Sequence, residues 1–330
     1  MMVDNANTDA TTGADPTSDT SLTPRERERL EAIRSADTLA ELRDVMGAPS
    51  EHDAYLQAKA EWQRLRAKEL GEPEITTALP EDCVIIDGQE FHVAGVTHGD
   101  TEAEREFLRD HVTGFIDAGG AVYCEQGIRR MYFDDIEDVC EIDDYRWAMH
   151  HCRALDVDSQ VDGHIEGTFD EEGIADDLQS VASQFREVTF SLIESGRDVY
   201  GDTFASALGD IASTFLMTHE EMATGEDFAS FAKSREAAKN PQLLEELQYY
   251  YKRSFLPQPL EREWLRRHDR ELELFTHARN ERIAEYVLYQ APDTGPVHVI
   301  TGAAHQPGVV YYLDAYRTGE WDFGTFESVP

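Results

Sequence analysis

Lysine is nearly absent from this chain. Only 5 of its 29 basic residues are lysine, set against 67 acidic residues and a formal net charge of −38. A chain so acidic argues against nucleic acid and anionic membranes as partners. The acids are spread along the sequence rather than gathered in a tail. The charge therefore reads as a surface suited to a salt-rich, halophilic cytosol, where screening relieves self-repulsion. Cysteine is scarce too. Cys83, Cys124, Cys140 and Cys152 form no CxxC pair, which leaves neither a disulfide framework nor a zinc ribbon. No apolar run reaches the roughly 20 residues that span a bilayer. The opening stretch MMVDNANTDATTGADPTSDTS has neither the basic region nor the apolar core of a signal peptide, so a cytoplasmic location is expected. Finally, no P-loop, G-x-S-x-G or G-x-G-x-x-G occurs, which argues against NTPase, serine hydrolase and dinucleotide-binding roles.

What the chain does have is 330 residues, 41% of them hydrophobic, enough for a globular protein with a substantial core. Residues 1–23 are polar and acidic and are expected to be disordered. Residues 24–78 form a helical N-terminal segment and linker, with Thr23 before Pro24 as a helix start and Leu30, Ile33, Leu39, Leu42 and Val45 as apolar positions. Residues 79–330 read as an α/β domain. It opens with two apolar runs around Asp87-Gly88, a hairpin signal. A helix over DTEAEREFLRDHVTGFIDAGG and a short strand, AVYCEQG, follow.

From about 136 to 290 the pattern is mostly helical and reads as an insertion. Ile174, Leu178, Val181, Phe185, Val188 and Leu192 are spaced as an amphipathic helix packing on a neighbour, and Phe204, Leu208, Ile211 and Phe215 repeat the spacing. A long helix is expected from about Pro259 to Leu288. After Gly295 a strand returns at Val297–Thr301, then a helix from Gly308, with WDFGTF as a last edge strand. The fold class expected is α/β: a mixed, mainly parallel sheet flanked by helices, with a large helical insertion between two halves that each carry Gly-x-x-His.

Those two motifs, GVTH and GAAH, each stand where a strand gives way to a helix. Ligands of open α/β sheets bind at the carboxyl ends of strands. Three strands here end in a chemically capable residue: His98, Glu125 and His305. Two histidines and a glutamate suit an open divalent-metal site. Gly95 and Gly302 are expected to let the backbone turn at the strand ends and to leave room beside a ligand. Arg279 falls on the apolar stripe Leu272, Phe275, Arg279, Ile283, Tyr286, whereas Arg282 lies off it. A buried arginine needs a partner, so Glu125, another buried acid or a bound anion is expected beside it.

GVTH, YCEQG, HARNERIAEYVL and ITGAAHQPGVV together resemble the motif set of the TraB/Tiki superfamily, which includes pheromone-shutdown proteins, Tiki proteases and, more distantly, ChaN-like haem binders. The family's Gly-x-x-His pair falls on Gly95 and His98 and on Gly302 and His305, its strand-end Glu on Glu125, and its Arg-Asn on Arg279 and Asn280. The chain departs from the family in having Ala278 where Glu is common and in lacking membrane helices. The resemblance implies a metal-dependent, peptidase-like hydrolase of an amide or ester in a peptide or small molecule. A divalent ion (Zn, Mn, Co or Fe) held by His98, Glu125 and His305 would activate water, with Arg279 steadying Glu125 or an oxyanion and Asn280 orienting a histidine. The alternative on the same scaffold is a non-catalytic protein that sequesters a metal, haem or a peptide.

Other motifs carry less. Asp156–Phe169 has the acids of a calcium loop but Phe169 where a bidentate Glu is required, so it reads as an acidic surface loop. The adjacent histidines of MHHC, His150 and His151, point about 100° apart on a helix and cannot share an ion well. THEEMA lacks the second histidine of HExxH. Cys124 alternates away from Glu125 along its strand and should be a core thiol.

Overall fold

A computed structural model describes residues 22–161, 184–322 and 326. Among these, five strands form one sheet: β1 (Asp82–Ile86), β2 (Gln89–Val96), β3 (Ala121–Glu125), β4 (Val139–Ile142) and β5 (Val297–Gly302). Their order is β1-β2-β5-β3-β4, antiparallel for the β1–β2 hairpin and parallel elsewhere. Asp87 and Gly88 make the hairpin turn with positive φ, as their residue types allow. The returning strand takes the middle place, between β2 and β3, and every residue of it is buried. That is why VHVITG does not alternate apolar with solvated residues: even His298 and Thr301 are buried.

Helices cover both faces of the sheet. On one face, α4 (Glu102–Asp117), α5 (Gln126–Tyr132) and α12 (Leu244–Ser254) bring Leu108, Val112, Ile128 and Leu247 against Ala94, Val122 and Ile300. On the other, α15 (His277–Gln290) and α16 (Gln306–Thr318) bring Ile283, Val287, Val309 and Leu313 against Val93, Tyr123 and Val299. Cys124 is buried in the first core, as expected. The N-terminal helices α1 (Pro24–Arg34), α2 (Leu39–Met46) and α3 (Glu51–Leu70) are capped by Thr23, Thr38 and Ser50. They share a core with α13 (Gln258–His268), where Trp264 and Leu260 pack among Tyr55, Leu42 and Leu30. Among the described residues no helix is long and apolar enough to cross a membrane.

Four expectations need correction. The region from 136 is not helical from its start: β4 lies there, and the helical stretch begins with α6 (Tyr145–Val161). The long helix is three: α13, α14 (Arg270–Phe275) and α15. It breaks where Asp269 caps α14 through Leu272 N, and again at Thr276, whose φ −112° and ψ −90° are not helical. No strand forms at Trp321, Asp322 or Phe326; the rest of WDFGTF lies outside the described residues. The fourth correction concerns the helix over residues 184–195, here α7, and α9 (Asp202–Leu216), separated by the short α8 (Arg197–Tyr200). The side chains expected to pack inward, Phe185, Val188 and Leu192 on α7 and Phe204, Leu208, Ile211 and Phe215 on α9, are exposed. Asp156 to Val161, the start of the calcium-like stretch, continue α6. The remainder of that stretch, the expected disordered tail, and Ile174, Leu178 and Val181 fall outside the described residues.

Candidate functional site

The parallel order places β2, β5 and β3 side by side, with Val96 paired to Gly302 and Cys124 to Ile300. Their carboxyl ends therefore open at one edge of the sheet, and His98, Glu125 and His305 follow from it. Gly302 is the point where they meet. A methyl group on Gly302 would stand 2.8 Å from His98 Nε2, 3.5 Å from Glu125 Oε2 and 3.5 Å from His305 Cδ2. The role expected of the glycines changes accordingly. Gly95 and Gly302 lie inside β2 and β5, and neither has a positive φ. They are needed for space, not for turning. A Cβ on Gly95 would stand 2.8 Å from Ala303 Cα and from Gln306 Oε1.

Glu125 is buried and held at both oxygens. Oε1 accepts from Arg279 Nη2 at 2.7 Å, and Oε2 accepts from Gly302 N–H at 2.8 Å. Arg279 also donates to Asp144 from Nε at 2.9 Å and from Nη2. The buried arginine thus has the partner its stripe position called for, and a second acid besides. Asp144 sits just beyond the end of β4, so it too occupies a strand end. Nothing in the local pattern marks it, because β4 is only four residues long. Its other oxygen, Oδ1, is buried without a partner among the described residues. Burial pushes Asp144 up to about 6, with Arg279 opposing and Glu125 reinforcing the rise. Burial acts on Glu125 in the same sense, but His305, Arg279, His98 and the Gly302 N–H outweigh it and hold the carboxyl at about 2. One guanidinium between two buried carboxylates leaves the proton, when one arrives, to Asp144. Arg282, off the stripe, is buried as well and lies over the Phe326 ring, so it is no surface counterpart of Arg279.

His305 is fixed from behind. Its Nδ1 donates to Asn280 Oδ1 at 2.8 Å, and Asn280 Nδ2 donates to Gln258 Oε1 at 3.1 Å. The Nε2 lone pair is then free, and its ring neighbour Cδ2 is the His305 atom beside Gly302. Burial, reinforced by Arg279, pushes the imidazole down to about 3, so it is neutral. Gly308 makes this possible: a Cβ there would stand 2.0 Å from Asn280 Nδ2. His98 is exposed at the rim. The loop carrying it is tied down by Glu104, a fully buried acid of α4, which accepts from Thr97 N at 2.9 Å, Thr97 Oγ1 at 2.6 Å and Tyr132 Oη at 2.5 Å. Two buried glutamines brace the strands below: Gln248 donates to Gly95 O at 2.8 Å and Gln306 to Val93 O at 2.9 Å. Glu104, Gln248 and Gln306 carry no sequence signal, because nothing in the pattern of their helices sets them apart from the solvated polar residues beside them.

A cleft of about 890 Å³ opens over His98, Gly302 and His305, walled by Phe190, Tyr251 and Arg186. A smaller cavity of about 340 Å³ lies on the other side of His305, against His277, Asn280 and Phe275. Among the described residues, no three His, Cys, Asp or Glu side chains are gathered as around a bound ion. The donor set around Gly302 is nonetheless chemically suited to a divalent cation. It offers an ionised carboxylate, a neutral imidazole with Nε2 free, and a second imidazole whose Nε2 faces the same glycine. His150 and His151 ring planes stand at 83°, with His151 Nδ1 donating to Trp147 O, so that pair shares no ion. THEEMA is a capped helix start, α10 (His219–Ala223), with Thr218 and Glu221 exchanging hydrogen bonds. No protein-family model, curated protein or solved structure is significantly similar to the chain.

Proposed function

We propose that this chain is a cytoplasmic, metal-dependent hydrolase of the TraB/Tiki type, acting on an amide or ester of a peptide or small molecule. One observation carries the reading: the three strand-end side chains, brought from distant parts of the chain, come within 3.5 Å of one point beside Gly302, His98 through Nε2, Glu125 through Oε2 and His305 through Cδ2. His98, Glu125 and His305 would hold the ion, which supplies Lewis acidity toward water and a substrate carbonyl. The protein's own contribution is positioning. Asn280 fixes the His305 tautomer and leaves Nε2 unprotonated, as a metal ligand requires. Arg279 and the Gly302 N–H fix the Glu125 carboxylate and keep it ionised. Asp144 in turn holds Arg279, leaving the guanidinium to act on Glu125 rather than on an oxyanion. The walls of the cleft, Phe190 and Tyr251 among them, would take the apolar part of a substrate and exclude water.

The test is metal analysis of the purified chain, with turnover of a peptide and ester library at high salt, before and after chelation. Stoichiometric metal with chelator-sensitive turnover supports the reading. Metal without turnover would favour the binding-protein alternative. Absence of both would sink the proposal.

A further inference from the structure

The helical region beside the cleft is built with its large apolar side chains facing outward. α9 docks through small residues: Ala205, Gly209 and Ser213 are buried. Ser213 Oγ accepts from Phe228 N at 3.0 Å, and a Cβ on Gly209 would fall within 1.9 Å of the Phe228 ring. Phe228 opens α11 (Phe228–Lys239), and this inner face needs nothing more. The outer face nonetheless carries Phe204, Leu208, Ile211 and Phe215, spaced four, three and four, the spacing of a coiled-coil seam. On α7 the inner residues Phe190 and Ile193 join the same small core, while Phe185, Val188 and Leu192 face out. Val199 and Tyr200 extend the exposed set, and exposures run up to 82% at Phe215.

We infer that this face is the contact between two copies of the chain, with α7 and α9 of each copy closing a four-helix bundle. Area is the first argument. Nine such side chains expose on the order of 1,000 Å² of apolar surface, above the ~300–600 Å² of the largest patch on a typical monomer. A standard interface buries about 800 Å² per partner, so the face is large enough for a stable dimer. Charge is the second. α9 has only Asp202 and Asp210 among its 15 residues, in a chain that is 29% charged. Two copies of so acidic a protein can approach only where acids are sparse. A basic partner would want a row of acids, which α9 lacks, and a membrane-surface helix would carry lysine or arginine, of which α9 has none. The contact also has a consequence for the cleft. Arg186, Phe190 and Ser191 of α7 line it, so the dimer would brace one wall of the site from outside.

Sedimentation equilibrium of the full chain at high salt, over a wide dilution range, tests the inference, with circular dichroism on each variant. The expected result is twice the chain mass for the wild type and the single chain mass for Phe204→Glu/Phe215→Glu, with helical signal retained. If the glutamate pair unfolds, Leu208→Ser/Ile211→Ser decides between the same outcomes. A wild type that is monomeric at every concentration overturns the inference, whether or not it co-sediments with zwitterionic vesicles. Folded variants that remain dimeric overturn it too. So does unfolding of both variants, which would mean that the chain covers this face itself.

Discussion

Gly302 separates site from fold more cleanly than either histidine. A methyl there meets His98 Nε2, the tip of an exposed side chain that can swing away, and fills the space between the three side chains. Gly302→Ala is expected to leave the melting temperature within a few degrees of wild type while abolishing metal uptake, read by calorimetric titration. A variant that keeps full metal affinity would remove Gly302 from the site. His98→Ala and His305→Ala should lose metal and activity alike, and the double variant should be hardly worse than either, because the residues act as a unit. Arg279 is a different case. Arg279→Leu strands Glu125 and Asp144 as buried, unpaired acids, a cost of roughly 3–5 kcal/mol in denaturant unfolding. Arg266→Leu removes a half-exposed arginine whose buried partner Glu273 keeps Arg262, and should cost under about 1 kcal/mol. Equal effects would mean that the Arg279 pairs are not what holds this region.

At the scale of the element, α15 is the helix that couples site to core. Its apolar side packs on the sheet through Ile283 and Val287, and its first turns carry His277, Arg279 and Asn280. His277 is buried there, with Nδ1 donating to Gln258 Oε1 at 3.2 Å. Burial pushes it down to about 4. The unfolded chain takes up a proton at this residue near pH 6.5, before the folded chain does. Its contribution to stability is therefore intact above about pH 6.5 and is lost as pH falls toward 4, by up to about 3 kcal/mol. Asp144, pushed up to about 6, acts in the opposite sense, so the comparison must be made between variants. His277→Gln should show a shallower fall in unfolding free energy than wild type over that interval. Parallel curves would mean that His277 does not titrate with unfolding.

For the whole molecule, the N-terminal helices are part of the body rather than an appendage. Trp264 and Leu260 of α13 are buried against Tyr55 and Leu42, and Tyr55 Oη donates to the buried Glu261 at 2.5 Å. Lys59 Nζ, from α3, donates to the same carboxylate at 2.9 Å. Removing residues before Gly71 should strand Glu261 and expose that core, giving an insoluble or molten chain by near-UV dichroism. A soluble, cooperatively melting truncation would show that the α/β body folds alone. The charge of −38 adds a second expectation at this scale. The melting temperature should rise with salt as self-repulsion is screened, and a flat salt profile would argue against it.

The local pattern alone determined the class of fold, the hairpin at Asp87-Gly88, the strand-end positions of His98, Glu125 and His305, and the anomaly of Arg279. Each rests on a periodicity or a cost that neighbouring residues set. Sequence could not decide which strands adjoin. β5, the last strand among the described residues, enters between β2 and β3 because parallel pairing there buries it on both faces, and only that order brings the three side chains together. The partners were equally out of reach. Asp144, Glu104, Gln248 and Gln306 look like ordinary polar residues until packing removes their water and obliges each to find a hydrogen bond. The break of α13–α15 at Thr276 is a tertiary outcome, as the apolar stripe runs through it unchanged. So is the orientation of α9: its sequence offers a large apolar stripe and a small one, and the close approach at Gly209 and Ser213 chose the small one for the interior.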